Sequence, residues 1–163
     1  MPTLVQTVLS AVERRDSWMK EMRASGTNCF RLFSGEGEGV PGLVLELWND
    51  VLLIHTFENH WKNESELPEL EQELVARLSL KATYRKDFVE NRNAVPATPT
   101  GEKAFQVTEN GLNFEIRPEE RFSVGLFLDQ RENRKRIGEL ESEAILHENR
   151  TNDEQKWGIH LYQ

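Results

Sequence analysis

The chain has 163 residues, 37% of them hydrophobic and 29% charged, with a formal net charge of −8 and a pI of about 5.1. That length fits one domain, or one domain with a small appendage, while a mean hydropathy of −0.63 predicts a thin core or a segment that stays unfolded. The acidic balance excludes a global field that draws phosphate, so contact with nucleic acid would need a local basic patch.

Cys29 is the sole cysteine. It excludes an intrachain disulfide and a thiolate metal cage, and it points to a reducing compartment. The opening MPTLVQTVLSAVERR lacks the basic segment and unbroken apolar run of a signal peptide. No apolar run approaches the roughly 20 residues that span a bilayer. A cytoplasmic protein with no membrane partner is the expectation.

From Thr3 to about Arg23, Leu4, Val5, Val8, Leu9, Val12, Trp18, Met19 and Met22 recur at helical spacing, and Ser25-Gly26 supplies a stop. Cys29–Phe33, Leu43–Trp48 and Val51–Phe57 read as strands. VLLIHTF is apolar on both faces, which predicts a central strand. Leu67, Leu70, Leu74 and Leu78 form one stripe of a helix over Glu66–Leu80, with Pro68 in its first turn. LKATYRKDF predicts a further strand, and Asn91–Lys103, with Pro96 and Pro99, a linker. AFQVT and LNFEI alternate around Glu109-Asn110-Gly111, a strong hairpin signal. RFSVGLFL follows as a strand and Asp129–Leu140 as a helix. Strands and helices mix without a strict βαβ rhythm, so the expected class is α+β: a mixed or antiparallel sheet with packed helices plus a β-hairpin. Between Leu146 and Trp157 there is no apolar residue, which predicts an unfolded tail over 141–163.

GEGEG, Gly35–Gly39, has the glycine spacing of a phosphate loop, but Glu36 and Glu38 would repel phosphate, and Pro41 follows where a helix should begin. A tight β-turn is the better expectation. His55, His60, His147 and His160 do not cluster and no metal site is expected. Cys29, without a histidine nearby in sequence, reads as a buried inert thiol, and no serine sits in a nucleophile elbow. Tyr84-Arg85-Lys86-Asp87 and Arg131–Arg136 are candidate anion contacts or solvated faces.

SVGLFLDQRENR, Ser123–Arg134, holds two readings. Asp129 is a good helix N-cap, with Glu132 reaching back as in a capping box and pairing with Arg136 one turn on. That leaves Gly125, Phe127 and a guanidinium in the first turn, where positive charge opposes the helix dipole, without a structural reason. A small anionic ligand at this helix start, held by Arg131, would supply one.

The same segment resembles the bacterial large-subunit (23S) rRNA methyltransferase I/K group, SAM-dependent enzymes with the pattern Lys-Thr-Gly-Phe-Phe-Leu-Asp-Gln-Arg-x-Asn-Arg. NCFRLFSGEGEGVPGLVLELWNDVLLIHTF is similar to that family's upstream Arg-Leu-x-x-Gly-Glu-x-Asp-Gly-x-Pro-Gly-Leu and the hairpin after it. ENGLNFEIRPEERF fits its Glu-Asn-Gly lead-in. The periodicity and the proline-rich stretch give a helix over 1–26 and a linker over 93–103, and the resemblance, over roughly Asn28–Leu140, implies an α+β substrate-side domain over 27–92 and a hairpin and helix over 104–140 leading into a Rossmann-like SAM domain. It implies SAM as cofactor and rRNA as partner; homodimerisation stays open. Carried over by match, Phe127, Asp129, Gln130 and Arg131 would line the cofactor side, and Arg31, Gly35, Glu36, Pro41 and Gly42 the substrate side.

Several positions depart from the family pattern. Ser123-Val124 replaces Lys-Thr, and Glu38 replaces Asp. Where the family continues near Ile145 with an apolar strand and a Tyr-Thr-Gly turn that brings backbone amides to SAM, this chain reads AILHENRTNDEQKW, with no glycine before Gly158. The expectation is the amino-terminal part of an rRNA cytosine-C5-like methyltransferase, truncated, without catalytic residues of its own and inactive alone. The alternative is a free-standing RNA- or protein-interaction module derived from that family.

Overall fold

The computed structural model describes residues 2–57, 61–88, 94–96, 102–119 and 124–151, with 94–96 and 142–151 described for their backbone alone. Helix α1, Leu4–Arg14, starts at a capping box: the Thr3 hydroxyl accepts from the Gln6 N–H, and the Thr3 N–H donates to Gln6 Oε1, both at 3.1 Å. The expected single helix to Arg23 is interrupted at Arg15. The Arg15 N–H bonds back to Val12 O at 3.0 Å, a tightened i→i−3 step, and a second helix, α2, runs Asp16–Ala24. Thr27 N–H to Met22 O (2.9 Å) and Gly26 at φ 78° close α2.

Five strands follow: β1 Cys29–Ser34, β2 Leu43–Trp48, β3 Val51–Thr56, β4 Ala82–Asp87 and β5 Ala94–Pro96, in spatial order β1-β2-β3-β4-β5. Neighbours are antiparallel except β3 and β4, which are parallel and joined through the helix Leu67–Leu78. A parallel pair needs a crossover of this kind. β3 is buried at every position, as its two-sided apolarity predicts. β5 lies inside the segment expected as a linker; Pro96 is tolerated there because the strand is the last of the sheet.

The two sheet faces carry separate cores. Leu45, Leu47, Leu52 and Ile54 meet α1 and the Leu67–Leu78 helix through Val8, Val12, Leu70 and Leu74. Trp48, Val51, Leu53 and Tyr84 on the other face meet Val107 and Ile116 of a hairpin, β6 Phe105–Glu109 and β7 Leu112–Ile116. Asn110 (φ 51°) and Gly111 (φ 80°) form its turn, as the Asn-Gly pair predicts. Val124 and Leu126 join this second core without strand assignment, held by Arg117 N–H to Val124 O at 2.8 Å. The expected strand over RFSVGLFL is thus a packed irregular segment over its described residues, 124–128.

The class is α+β, as expected. The chain divides into two compact units, Met1–Leu128 and Asp129–Gln163. The second contains a helix from Arg131 to Thr151, past the end expected at Leu140. The remainder of the tail, 152–163, lies outside the described residues. In chain order the one-turn helix Gly35–Glu38 is α3, Leu67–Leu78 is α4 and Arg131–Thr151 is α5.

Candidate functional site

The Gly-Glu segment is one helical turn, α3, where a β-turn was expected. Its own carboxylates explain this. Glu38 Oε2 accepts from the Ser34 N–H (3.0 Å), Glu36 Oε1 accepts from the Gly42 N–H (3.3 Å), and Gly39 at φ 80° caps the turn. Gly35 is required by contact: a Cβ there would lie 1.8 Å from Val40 O and 2.7 Å from Leu43 O. Gly42 takes φ 83°. Glu38 also pairs through Oε1 with Arg15 Nη2 at 2.8 Å, fastening the turn to the α1–α2 break. Gly35, Glu36 and Gly42 therefore build a rigid corner. Pro41 is exposed beside it and, with Gly39 and Val40, forms one wall of a cavity of about 390 Å³ whose other walls include Leu4, Thr7 and Lys62.

Arg31 does not join that corner. It lies on β1 opposite Glu46 of β2, and the two side chains pair at 3.2 Å. Glu46 also bonds His55 Nε2 at 3.1 Å, and His55 is 9% exposed. Burial pushes the Glu46 carboxyl up, but the His55 hydrogen bond and charge, with those of Arg31, outweigh it and hold the group below the usual glutamate range. Lys86, in register with His55 on the parallel neighbour, is buried as well. Tyr84-Arg85-Lys86-Asp87 is thus no solvated face: Tyr84 and Lys86 are buried, and Arg85 pairs with Glu64 (3.3 Å) and Glu71 (3.2 Å) of the crossover segment. The Glu46–His55 pair escaped sequence reasoning because it spans a hairpin; only the strand register brings the two residues to one face. One step past that register, Phe57 and Phe88 stack at 4.6 Å and 10°, and His55 tilts onto Phe88 at 5.5 Å.

Cys29 is fully buried and its thiol donates to Thr108 O at 3.5 Å, the inert role expected. Among the described residues no group of three or more His, Cys, Asp or Glu could hold a metal, and no helix is long and apolar enough to cross a membrane.

Of the expected cofactor side, Phe127 belongs to the first unit and is 61% exposed. Gly125 upstream has a packing reason: at φ 117°, a Cβ would stand 2.6 Å from Glu115 O of β7. Asp129, Gln130 and Arg131 belong to the second unit. Asp129 sits within a 3₁₀ turn, Leu128–Gln130, and its Oδ2 accepts from Gln130 Nε2 at 3.1 Å. Gln130 Oε1 accepts from Asn133 Nδ2 at 2.8 Å, and Arg131 Nε pairs with Glu132 Oε1 at 3.0 Å. That Glu132 oxygen, expected to close a capping box or to meet Arg136, is engaged by Arg131.

Comparison with known proteins identifies the fold and the lineage. YwbD of Bacillus subtilis, named as a ribosomal RNA large subunit methyltransferase, is 33% identical over 132 residues, which is 72% of this chain and 31% of YwbD. This chain is homologous to part of the ribosomal RNA large-subunit methyltransferases. A Deinococcus radiodurans member is 32% identical over 78% of the chain and 34% of its own length, and methyltransferase I of Shewanella denitrificans 27% over 69% and 30%. The chain spans about a third of the length of the curated relatives it matches. A SAM-dependent methyltransferase structure from Streptococcus mutans superposes with a TM-score of 0.66 at 16% identity, covering 84% of this chain and 36% of that one. The SMU.776 methyltransferase, solved with SAH, gives 0.64 at 17% identity over 82% and 35%. No family model matches the chain.

The family's Gly-Glu signature is accounted for here by the corner at Gly35–Gly42, a folding device. The Phe-Leu-Asp-Gln-Arg turn does not by itself fit SAM. Such a cofactor needs a concave site with an apolar surface for its adenine, acceptors for its ribose hydroxyls and donors for its carboxylate. Phe127, Asp129, Gln130 and Arg131 offer one ring and three polar groups already engaged with close neighbours along the chain. No methyl-transfer step is derived through them.

Proposed function

We propose that this chain is the substrate-side, amino-terminal region of a SAM-dependent rRNA cytosine-C5-type methyltransferase and does not transfer methyl groups alone. The observation that carries the reading is the 33% identity over 72% of the chain to a relative of which the chain spans 31%. In this reading Asp129, Gln130 and Arg131, and separately Phe127, are cofactor-side residues, as the match of the Phe-Leu-Asp-Gln-Arg segment to the family pattern supports. The corner at Gly35–Gly42 and the Arg31–Glu46–His55 row shape the side that meets rRNA. Calorimetric titration of the chain with SAM should give no binding in the micromolar range; micromolar binding would overturn the incomplete-site reading.

A second reading, a free-standing RNA-interaction module, draws support from Phe57, 36% exposed and stacked on Phe88, because exposed aromatics provide platforms for unpaired bases. Filter binding to rRNA fragments across salt separates the two. Tight binding by this chain alone with a negative salt slope favours the module, and weak binding that a complete relative greatly exceeds favours the region of a larger enzyme.

A further inference from the structure

The folding of the Gly35–Gly42 corner gives no role to the cavity beside it. That cavity holds about 390 Å³, toward the lower end of the roughly 300–1,000 Å³ usual for small-ligand sites. It lies between the first turn of α1, the end of α3 and the segment ahead of α4. Leu4 and Val40, both buried, and the exposed Pro2 and Pro41 give it apolar walls. Gly39 leaves bare backbone at the rim, where a Cβ would meet nothing within 4 Å. Its polar lining is Thr7, Lys62 and Asn63. The Thr7 hydroxyl donates to Thr3 O at 2.9 Å and the Asn63 amide to Glu66 Oε1 at 3.1 Å, which leaves the acceptor side of each for a ligand. Lys62 is exposed and, among the described residues, has no hydrogen bond or ion pair.

The charge of this lining runs against that of the molecule. The chain has a net charge of −8, yet the cavity is lined by one lysine and no carboxylate. Acidic groups on the flanking segments are engaged elsewhere: Glu36 with the Gly42 N–H, Glu64 with Trp61 and Arg85, and Glu66 with the Leu4 N–H at 3.0 Å. Glu66 thereby fastens α1 to the segment ahead of α4, and Glu38 fastens α3 through Arg15. The walls are thus held in place before any ligand arrives, which lowers the cost of binding.

We propose that this cavity takes one unpaired nucleotide of a single-stranded RNA segment, its base against the apolar walls and its phosphate at Lys62. The proposal rests on the substrate-side reading above and adds where on that side, and in what form, RNA is met. A flat base with a polar edge, a ribose and one phosphate match apolar walls, two acceptors and a single cation. An inorganic anion would leave the walls uncovered, and a hydrocarbon would leave Lys62 and both acceptors unused. The volume admits one nucleotide but no duplex, and an unpaired base is free to splay out of its strand into such a recess. Lysine meets phosphate as a point charge, so the contact is sensitive to salt.

Nitrogen–proton correlation spectra of the whole chain, titrated with a single-stranded RNA hexamer of mixed sequence, test this. The amides of Thr7, Gly39, Val40 and Asn63 should shift together and saturate. Annealing the hexamer to its complement should weaken binding about tenfold or more. Lys62→Gln should weaken it about threefold or more and lower the salt slope by about one. Lys20→Gln, which removes the same charge outside the cavity, should change neither. Thr7→Phe, which fills the cavity, should abolish the shifts at Val40 and Asn63 while the rest of the spectrum keeps its folded pattern. Hexamer binding that moves other amides and spares these would overturn the cavity assignment and leave the substrate-side reading standing. No binding of the hexamer would overturn the assignment as well, whereas that reading is decided by the rRNA fragments and by SAM. Equal shifts from inorganic phosphate, or undiminished binding by Lys62→Gln, would also overturn it.

Discussion

Glu46 stands between a guanidinium and an imidazole on the sheet face that carries Leu53 and Tyr84: its Oε1 lies 3.2 Å from Arg31 Nη2 and its Oε2 3.1 Å from His55 Nε2. Arg31 and His55, on the two strands that flank β2, thus share one carboxylate. Arg31 reaches solvent while His55 and Glu46 are largely covered. A charge so placed is sustained only by its partners, and its loss should be read in stability.

Glu46→Gln keeps the shape and removes the charge. The folded-state carboxyl lies below its ordinary value of 4.5. Its contribution is therefore present above that unfolded value and is lost as pH falls through the folded one. At pH 7 the variant should be destabilised by about 1–3 kcal/mol, and the gap to the parent should shrink as the pH is taken below 4.5. Urea unfolding across acid and neutral pH checks this. A gap of constant size would remove the linkage.

Gly35→Ala and Gly37→Ala form a matched pair within one helical turn. The first sets a methyl 1.8 Å from a backbone oxygen, and the second meets nothing within 4 Å. Thermal or urea unfolding should report a loss of about 2–4 kcal/mol for Gly35→Ala and a change within about 0.5 kcal/mol for Gly37→Ala. Similar losses at both would mean that the motif is held by something other than the close approach.

Leu74→Ala empties a position on α4 that is fully buried against the sheet. The expected cost is about 2–5 kcal/mol, depending on how far the site collapses. A cost of about half a kcal/mol or less, in the range of surface changes, would place that leucine outside the core.

Gly125→Ala should loosen the second core locally. The residue takes φ 117° and its missing Cβ leaves room for Glu115 O at 2.6 Å. The Arg117 amide, which donates to Val124 O, should exchange its hydrogen faster than in the parent, while amides of β3 stay protected. Unchanged exchange at Arg117 would show that Val124 and Leu126 do not depend on this approach.

Local periodicity and turn chemistry determined much of this protein. The alternation around Asn110-Gly111, the two-sided apolarity of VLLIHTF and the leucine stripe of α4 each appear in the structure as read, because every one depends on neighbours a few residues away. Family lineage was legible too, since the Gly-Glu and Phe-Leu-Asp-Gln-Arg segments carry unusual residues in fixed order. What depended on distant partners was not legible. Arg15 breaks the first helix and meets Glu38 at 2.8 Å across the fold. Glu36 and Glu38, read as repelling a ligand, turn inward to bind backbone amides and so convert an expected β-turn into a helical one. Gly125 needed no ligand to explain it once β7 was seen to pass beneath it. Arg85 and Lys86 lost their solvated reading when sheet burial and the crossover segment claimed them. In each case the sequence determined the residue's chemistry, and the tertiary structure decided its partner, because a carboxylate, a guanidinium or a missing Cβ acts on whatever the chain brings within a few ångströms.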